Sequence, residues 1–234
     1  MYVLYIDLSF GKSDKVIIRE NEIDVKDVSS VDALNFQGDK EAYKRAIFFD
    51  LEHYIYKKPI CIGVFGCCYY DYDTNKIKVT QYMIENKKDV REIILLSKKY
   101  LEKMYRSEEK DYIITFSGNN DYTVINYLFK KYNIDFDIDV HFDKIDLQKE
   151  YEKENKTCIG LKNLEKQFNI IRQDENMISG QNLAKTFSRI IKDDDYINRM
   201  PENKKNKILL YNEQDVVSLF HIYVNWFKSI HSNI

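Results

Sequence analysis

Residues 46–52 read AIFFDLE, an apolar run that ends in two acidic side chains. Such a run predicts a buried strand. Asp50 and Glu52 are two positions apart, so both side chains point to the same face of that strand. Two neighbouring carboxylates are costly to bury unless something neutralises them. The strand therefore either ends in water at these positions or delivers both carboxylates to a site.

The segments that follow predict a five-stranded sheet. Two strand-like runs, ICIGVFGCCYYD at 60–71 and KIKVTQYMI at 76–84, form a meander with the first run. The later segments predict a helix over 89–106, a strand over 112–118, a helix over 121–132, a strand over 140–146, and mostly helices afterwards. Antiparallel strands followed by strand–helix units favour an α/β fold with a mixed sheet and helices on both faces. The later strands should run parallel to the first, through right-handed crossovers.

The first 45 residues predict an extension of this domain. Residues 1–10 and 14–20 have strand character and are joined by a turn that contains Gly11, which predicts a β-hairpin. We therefore divide the chain into an N-terminal extension, residues 1–45, packed on the sheet, and a main domain, residues 46–234.

Two more acidic residues fall where they could meet the first pair. Asp121 follows the strand over 112–118 at the head of a helix, where an Asp can also serve simply as an N-cap. Asp215 lies on a late helix, and Tyr211, four residues before it, shares the same side of that helix. A structural hydrogen bond between a tyrosine and an aspartate would give the same spacing.

Together, these two residues and the first pair make a more specific pattern than any one of the four acidic residues alone. Four carboxylates at one edge of a sheet would repel each other unless cations neutralised them. Hard oxygen ligands of this kind suit Mg²⁺ or Mn²⁺. Two such ions about 3.5–4 Å apart form a clamp for in-line attack of water on a phosphodiester. Asp50, Glu52, Asp121 and Asp215 therefore predict a two-metal site.

Three short motifs also resemble a known family. FFDLE at 48–52, FSGNND at 116–121 and YNEQD at 211–215 resemble the three motifs of the DEDD exonucleases, within the ribonuclease H-like superfamily. The tyrosine four residues before the last aspartate is similar to that of the DEDDy subclass. The segments CIGLKNLEKQFNIIR at 158–172 and NMISG at 176–180 further resemble the YprB-type ribonuclease H-like domain.

The resemblance covers roughly residues 46–227, and it implies a ribonuclease H-like fold and a 3′–5′ exonuclease acting on DNA or RNA. It implies that the four acidic residues hold two Mg²⁺ or Mn²⁺ ions and that Tyr211 orients the attacking water. YIDLSF at 5–10 imitates the first motif, but it has Ser9 where the glutamate should be. We therefore expect no catalytic role for Asp7.

The charge balance limits how the chain can bind nucleic acid. It has 36 basic and 38 acidic side chains and a net charge of −2. This balance argues against binding by bulk charge and leaves a metal-bridged or locally basic site. The four cysteines show no CxxC spacing, which favours reduced thiols over a disulfide framework or a zinc site. Without a targeting segment or an apolar run of about 18–20 residues, the expected location is the cytoplasm.

Two other functions fit the same motifs. One is a nucleic-acid-binding or scaffold domain that keeps the fold with little or no turnover. The other is a structure-specific endonuclease of the same fold. The intact set of four acidic residues favours an enzyme over a scaffold, whereas the motifs do not distinguish DNA from RNA or cleavage at an end from internal cleavage.

Overall fold

The computed structural model describes residues 2–3, 10–12, 16–26, 28–173 and 178–230. Its strands are β1 (Tyr2–Val3), β2 (Phe10–Lys12), β3 (Val16–Asp24), β4 (Ala46–Tyr56), β5 (Lys58–Asp71), β6 (Lys76–Ile84), β7 (Tyr112–Thr115), β8 (Asp143–Asp146) and β9 (Ile170–Ile171). Its α-helices are α1 (Val90–Arg106), α2 (Asn119–Lys131), α3 (Ile138–His141), α4 (Leu147–Asn155), α5 (Leu161–Gln167), α6 (Gly180–Lys192), α7 (Glu202–Val224) and α8 (Trp226–Ile230). Short 3₁₀ turns cover Ala42–Arg45 and Lys87–Asp89.

The main sheet has the strand order β2-β3-β6-β5-β4-β7-β8. Strands β4, β5 and β6 form the expected antiparallel meander. Strands β7 and β8 run parallel to β4, as the strand–helix units predict. The α/β fold class with a mixed sheet is therefore confirmed. Separately, β1 pairs in parallel with β9.

The strand count differs from the prediction because the N-terminal hairpin joins the sheet. In the described part of the chain this sheet has seven strands where the sequence predicted five. Strand β3 pairs with β6 over its full length, from Val16 opposite Ile84 to Asp24 opposite Lys76. A long, unpaired β6 would leave a row of backbone hydrogen-bonding groups open at the sheet edge, and β3 satisfies them.

The hairpin also has different bounds from those predicted, 1–10 and 14–20. Its strands are β2 and β3, whereas Tyr2–Val3 pairs with β9 instead. Residues 4–9 and 13–15 of the predicted hairpin, Asp7 among them, lie outside the described residues.

Some element boundaries in the main domain also differ. Strand β4 continues to Tyr56, four residues past the predicted run, and β7 ends at Thr115. The strand predicted over 140–146 is confined to β8, because the short helix α3 occupies the residues before it. The Asp137 side chain caps that helix by accepting a hydrogen bond from the backbone of Asp139.

Helices cover both faces of the sheet, as expected. Residues of α1, α2 and α6 pack in one apolar cluster, and residues of α4, α5 and α7 pack in another. Strand β4 contributes to both clusters in alternation, with Phe49 and Leu51 in the first and Phe48 in the second. Among the described helices, none combines the length and the apolar character that a membrane crossing requires.

The four cysteines lie in two different environments. Cys61, Cys67 and Cys68 are buried in β5, and Cys158 is exposed in the loop before α5. All four are free thiols.

Candidate metal centre

Asp50 and Glu52 lie on β4 beyond the point where its parallel neighbour stops. Strand β7 pairs with β4 only as far as Phe48, so both carboxylates come after the last residue of β4 that pairs with β7. By the alternation of the strand they share the face of Phe48, which packs in the cluster that includes α7. The carboxyl ends of parallel strands are where α/β sheets open for ligands. Strand β4 therefore carries both acidic groups to that edge.

Helix α7 brings a third carboxylate to the same place. Asp215 lies on this helix with only 6% of its surface exposed. Ligand oxygens of Asp50, Glu52 and Asp215 all lie within 4.8 Å of one another. Three of the four predicted ligands thus form one compact group of hard oxygen donors, which could bind a metal ion.

Asp121 lies beside this group, in the first turn of α2. The N-cap of α2 is Gly118, so Asp121 does not act as the N-cap that its position also allowed. The residue is buried, and its Oδ1 lies 3.6 Å from Nδ1 of His53. Charge on Asp121 contributes to raising the pKa of Glu52. The fourth predicted ligand therefore shares the electrostatic field of the other three, although it is not part of their compact group.

Burial and mutual repulsion disfavour the charged forms of these carboxylates. Burial raises the pKa of Asp50 to about 6, against the opposing effects of an amide hydrogen bond from α7 and the charge of Arg172. Burial likewise raises the pKa of Asp215 to about 8, although Arg172 opposes it. The pKa of Glu52 lies well above its usual value, through burial first and then through the charge of Asp50. A bound cation would offset both the burial and the repulsion.

One cationic side chain already lies in the site. Arg172 follows β9, and its Nη2 donates to Oδ1 of Asp215. Its Nε and Nη2 also donate to the two carboxylate oxygens of Glu165, at 2.7 and 2.5 Å. This paired geometry is the strong form of an arginine–carboxylate contact. The three side chains are almost fully buried, so Arg172 partly neutralises Asp215 and holds its carboxylate in place.

The sequence motifs did not point to Arg172 or Glu165. Both lie in the segment 158–172 that resembles the YprB-type domain, but that resemblance assigned no role to either residue. Asn212 was also missed, although it lies three residues before Asp215 and so on a neighbouring position of the same helix face. Its Nδ2 donates to Oδ2 of Asp50 at 2.9 Å.

Tyr211 lies close to the carboxylates and stays protonated. Burial first, and then the charges of Asp215 and Glu52, raise the pKa of Tyr211 far above its ordinary value of 10. The side-chain cations of Lys162 and Arg172 each lie 5.5 Å from the centre of its ring. A neutral phenol can donate one hydrogen bond. Tyr211 thus offers a donor beside a group of acceptors.

Comparison with known proteins agrees with the resemblance of the motifs at the level of the ribonuclease H-like superfamily. The family model RNase_H_2, of the RNase H superfamily, matches residues 47–227. That range includes all five predicted site residues and both strands that run parallel to β4. No curated protein matches the sequence at a significant level. The sheet order, the acidic group that β4 and α7 form and the family match lead to one conclusion: the chain belongs to the RNase_H_2 family of the RNase H superfamily.

Proposed function

We propose that this protein is a metal-dependent nuclease that hydrolyses phosphodiester bonds by the two-metal mechanism, acting as a 3′–5′ exonuclease of the DEDDy type. The observation that carries the proposal is the group formed by Asp50, Glu52 and Asp215, whose ligand oxygens lie within 4.8 Å of one another in a chain of the RNase H superfamily. Proteins of this superfamily are generally nucleases, which makes a nucleic acid the expected substrate. The motifs that resemble the YprB-type domain support the finer assignment.

The donor set fits divalent metal ions. Its ligands are carboxylate oxygens, which Mg²⁺ and Mn²⁺ prefer, and their raised pKa values mean that a cation would stabilise the charged forms. Asp50, Glu52, Asp121 and Asp215 would hold two ions, Mg²⁺ or Mn²⁺. When bound, such ions activate water and stabilise the charge that develops on the phosphate.

The remaining side chains would position the reactants. The protonated hydroxyl of Tyr211 would donate a hydrogen bond that orients the attacking water. The exposed Lys162 lies against the Tyr211 ring, at 5.5 Å, and would meet a phosphate of the substrate. We assign this chemistry to residues 46–234, whereas residues 1–45 would complete and support the sheet.

A cleavage assay tests the proposal. Single- and double-stranded DNA and RNA, labelled at the 5′ end, are incubated with the protein in Mn²⁺, and parallel reactions contain EDTA. A ladder of 5′-labelled products that shortens with time in Mn²⁺ but not in EDTA is the expected result. Discrete internal cuts would replace the exonuclease with a structure-specific endonuclease. Retarded but uncut substrate would indicate a binding or scaffold domain instead.

A further inference from the structure

Asn212 is held between a metal-ligand carboxylate and a buried glutamine. Its Nδ2 donates to Oδ2 of Asp50 at 2.9 Å and approaches the Asp50 backbone oxygen at 3.4 Å. Its Oδ1 accepts a hydrogen bond from Nε2 of Gln81 at 2.7 Å. Both Asn212 and Gln81 are fully buried, so water does not compete for these hydrogen bonds.

The orientation of the Asn212 amide follows from a backbone group. Nε2 of Gln81 also donates to the carbonyl oxygen of Leu209, at 2.9 Å. Because a carbonyl oxygen can only accept, the Gln81 amide must present its NH₂ group on this side. Asn212 must then turn its oxygen to Gln81 and its NH₂ group to Asp50. The chain of hydrogen bonds that joins Leu209, Gln81 and Asn212 therefore gives Asp50 a donor that matches an ionised carboxylate.

A glycine provides the space for this arrangement. Gly66 on β5 lies directly opposite Asp50 on β4. A Cβ atom at Gly66 would lie 1.9 Å from Oδ1 of Asn212 and 2.7 Å from its Nδ2, far inside van der Waals contact. Any larger residue at this position would push Asn212 away from Asp50. Only glycine therefore lets the amide fit between α7 and the sheet.

The contact also aligns two elements of the site. Asp50 comes from β4, whereas Asn212 lies on α7, the helix that carries Asp215. The hydrogen bond thus joins the strand and the helix whose carboxylates must converge. Groups that hold a metal ligand from behind commonly contribute 10–100-fold to metal affinity.

We propose that Asn212 is a positioning residue for the metal centre, oriented by Gln81 and accommodated by Gly66, and that it holds Asp50 in the geometry that binds the metal ion. This inference rests on the proposed function, because it takes Asp50 as a metal ligand. It adds three residues, none of which the sequence motifs marked as functional.

Calorimetric titration with Mn²⁺ tests the inference without relying on activity. Asn212→Leu removes the amide, Gly66→Ala displaces it, and Gln81→Met removes the group that orients it while keeping its volume. We expect each of the first two variants to bind Mn²⁺ 10–100-fold more weakly than the unmodified protein and Gln81→Met to show a smaller loss. Because these variants act in different ways, the inference can still be tested on the remaining variants if one of them fails to fold.

Asn75→Ala is the matched control. This change removes two hydrogen bonds, one from Tyr70 and one to the Val25 carbonyl, in the turn after β5. It should lower stability and leave Mn²⁺ affinity unchanged. Unchanged affinity in folded Asn212→Leu and Gly66→Ala would overturn the positioning role. Absence of Mn²⁺ binding in the unmodified protein would instead overturn the metal-dependent function itself, so the two failures are distinguishable.

Discussion

Asp215 has two partners of different kinds. It belongs to the compact carboxylate group, and it also receives a charge-assisted hydrogen bond from Arg172, which Glu165 holds in turn. The arginine leaves the group with excess negative charge, because three carboxylates face a single guanidinium that Glu165 also engages. In the proposed metal centre, the residual charge of the ionised carboxylates would attract divalent cations.

A pair of substitutions separates the proposed metal ligand Asp50 from Tyr211, the residue proposed to orient the attacking water. Asp50→Asn keeps the shape of the side chain but removes a charged ligand, so we expect a loss of at least about three decades in cleavage rate together with weaker Mn²⁺ binding. Tyr211→Phe removes only a hydroxyl group, so we expect a loss of roughly two decades with Mn²⁺ affinity almost unchanged. Initial rates on a labelled oligonucleotide and calorimetric titration measure the two effects.

Tyr223→Phe is the control for the tyrosine change. Tyr223 lies on the same helix, and its buried hydroxyl has no hydrogen-bond partner among the described residues. Its loss should leave the rate near that of the unmodified protein. If Tyr211→Phe behaves like Tyr223→Phe, the tyrosine is structural and the DEDDy assignment is wrong.

His221 makes stability depend on pH. Burial lowers the pKa of His221 from an ordinary value of 6.5 to about 4, so the folded protein keeps it neutral while the unfolded chain protonates it. The unfolded state therefore binds more protons between these two values, and stability falls as the pH falls through this window. We expect the unfolding free energy of the protein, measured relative to that of His221→Leu, to fall by about 3 kcal/mol between pH 7 and pH 4. Urea denaturation at several pH values measures it, and a constant difference would contradict the assignment.

At the scale of elements, β3 and α7 are joined by a buried ion pair. Arg19 on β3 and Glu213 on α7 approach to 2.8 Å, and both side chains are almost completely buried. Asn21 also donates to the Glu213 carboxylate, at 2.7 Å. The N-terminal hairpin is therefore attached to the helix that carries Asp215, two residues beyond Glu213.

Removing one partner of this pair should be costly. Arg19→Met leaves a buried carboxylate without its countercharge, so we expect unfolding free energy to fall by about 3–5 kcal/mol. Adding Glu213→Leu should recover much of that loss, since no charge is then left buried. Denaturant titration of the single and double variants measures the coupling. Arg45→Met is the control: its ion pairs with Asp39 and Asp111 are half-exposed, so it should cost about 1 kcal/mol or less.

The same elements show what the sequence could and could not predict. The meander, the parallel order of β7 and β8, and the shared face of Asp50 and Glu52 followed from local patterns of apolar residues. The place of β3 in the sheet did not, because its centre, Arg19–Glu22, is polar and resembles a surface segment. Arg19 and Asn21 share one buried partner on α7, Glu213, almost two hundred residues away, and no local pattern encodes such a contact. Arg172 was missed because its contact with Asp215 joins residues 43 positions apart in the chain, which a local pattern also does not encode.

At the scale of the whole molecule, metal binding should appear as thermal stability. A ligand that binds only the folded state stabilises it, by about 2.7 kcal/mol at a hundred times its dissociation constant. For a chain of this size we therefore expect Mn²⁺ at that concentration to raise Tm by roughly 5–10 °C. Differential scanning fluorimetry with and without EDTA measures the shift. The shift should be much smaller in Asp50→Asn, and an equal shift in both proteins would place the metal ion elsewhere.

The distribution of cysteines makes the native chain suitable for labelling at one site. Burial raises the pKa of the Cys61 thiol to about 12, and it raises those of Cys67 and Cys68 well above the usual value, so none of the three readily forms the reactive thiolate. Cys158 is exposed, three residues before helix α5, which carries the Glu165 partner of Arg172. Ellman's reagent should therefore detect one reactive thiol in the folded protein and four in denaturant. A maleimide dye would attach at Cys158 alone, and energy transfer from it to a labelled oligonucleotide could follow substrate binding without any engineered residue.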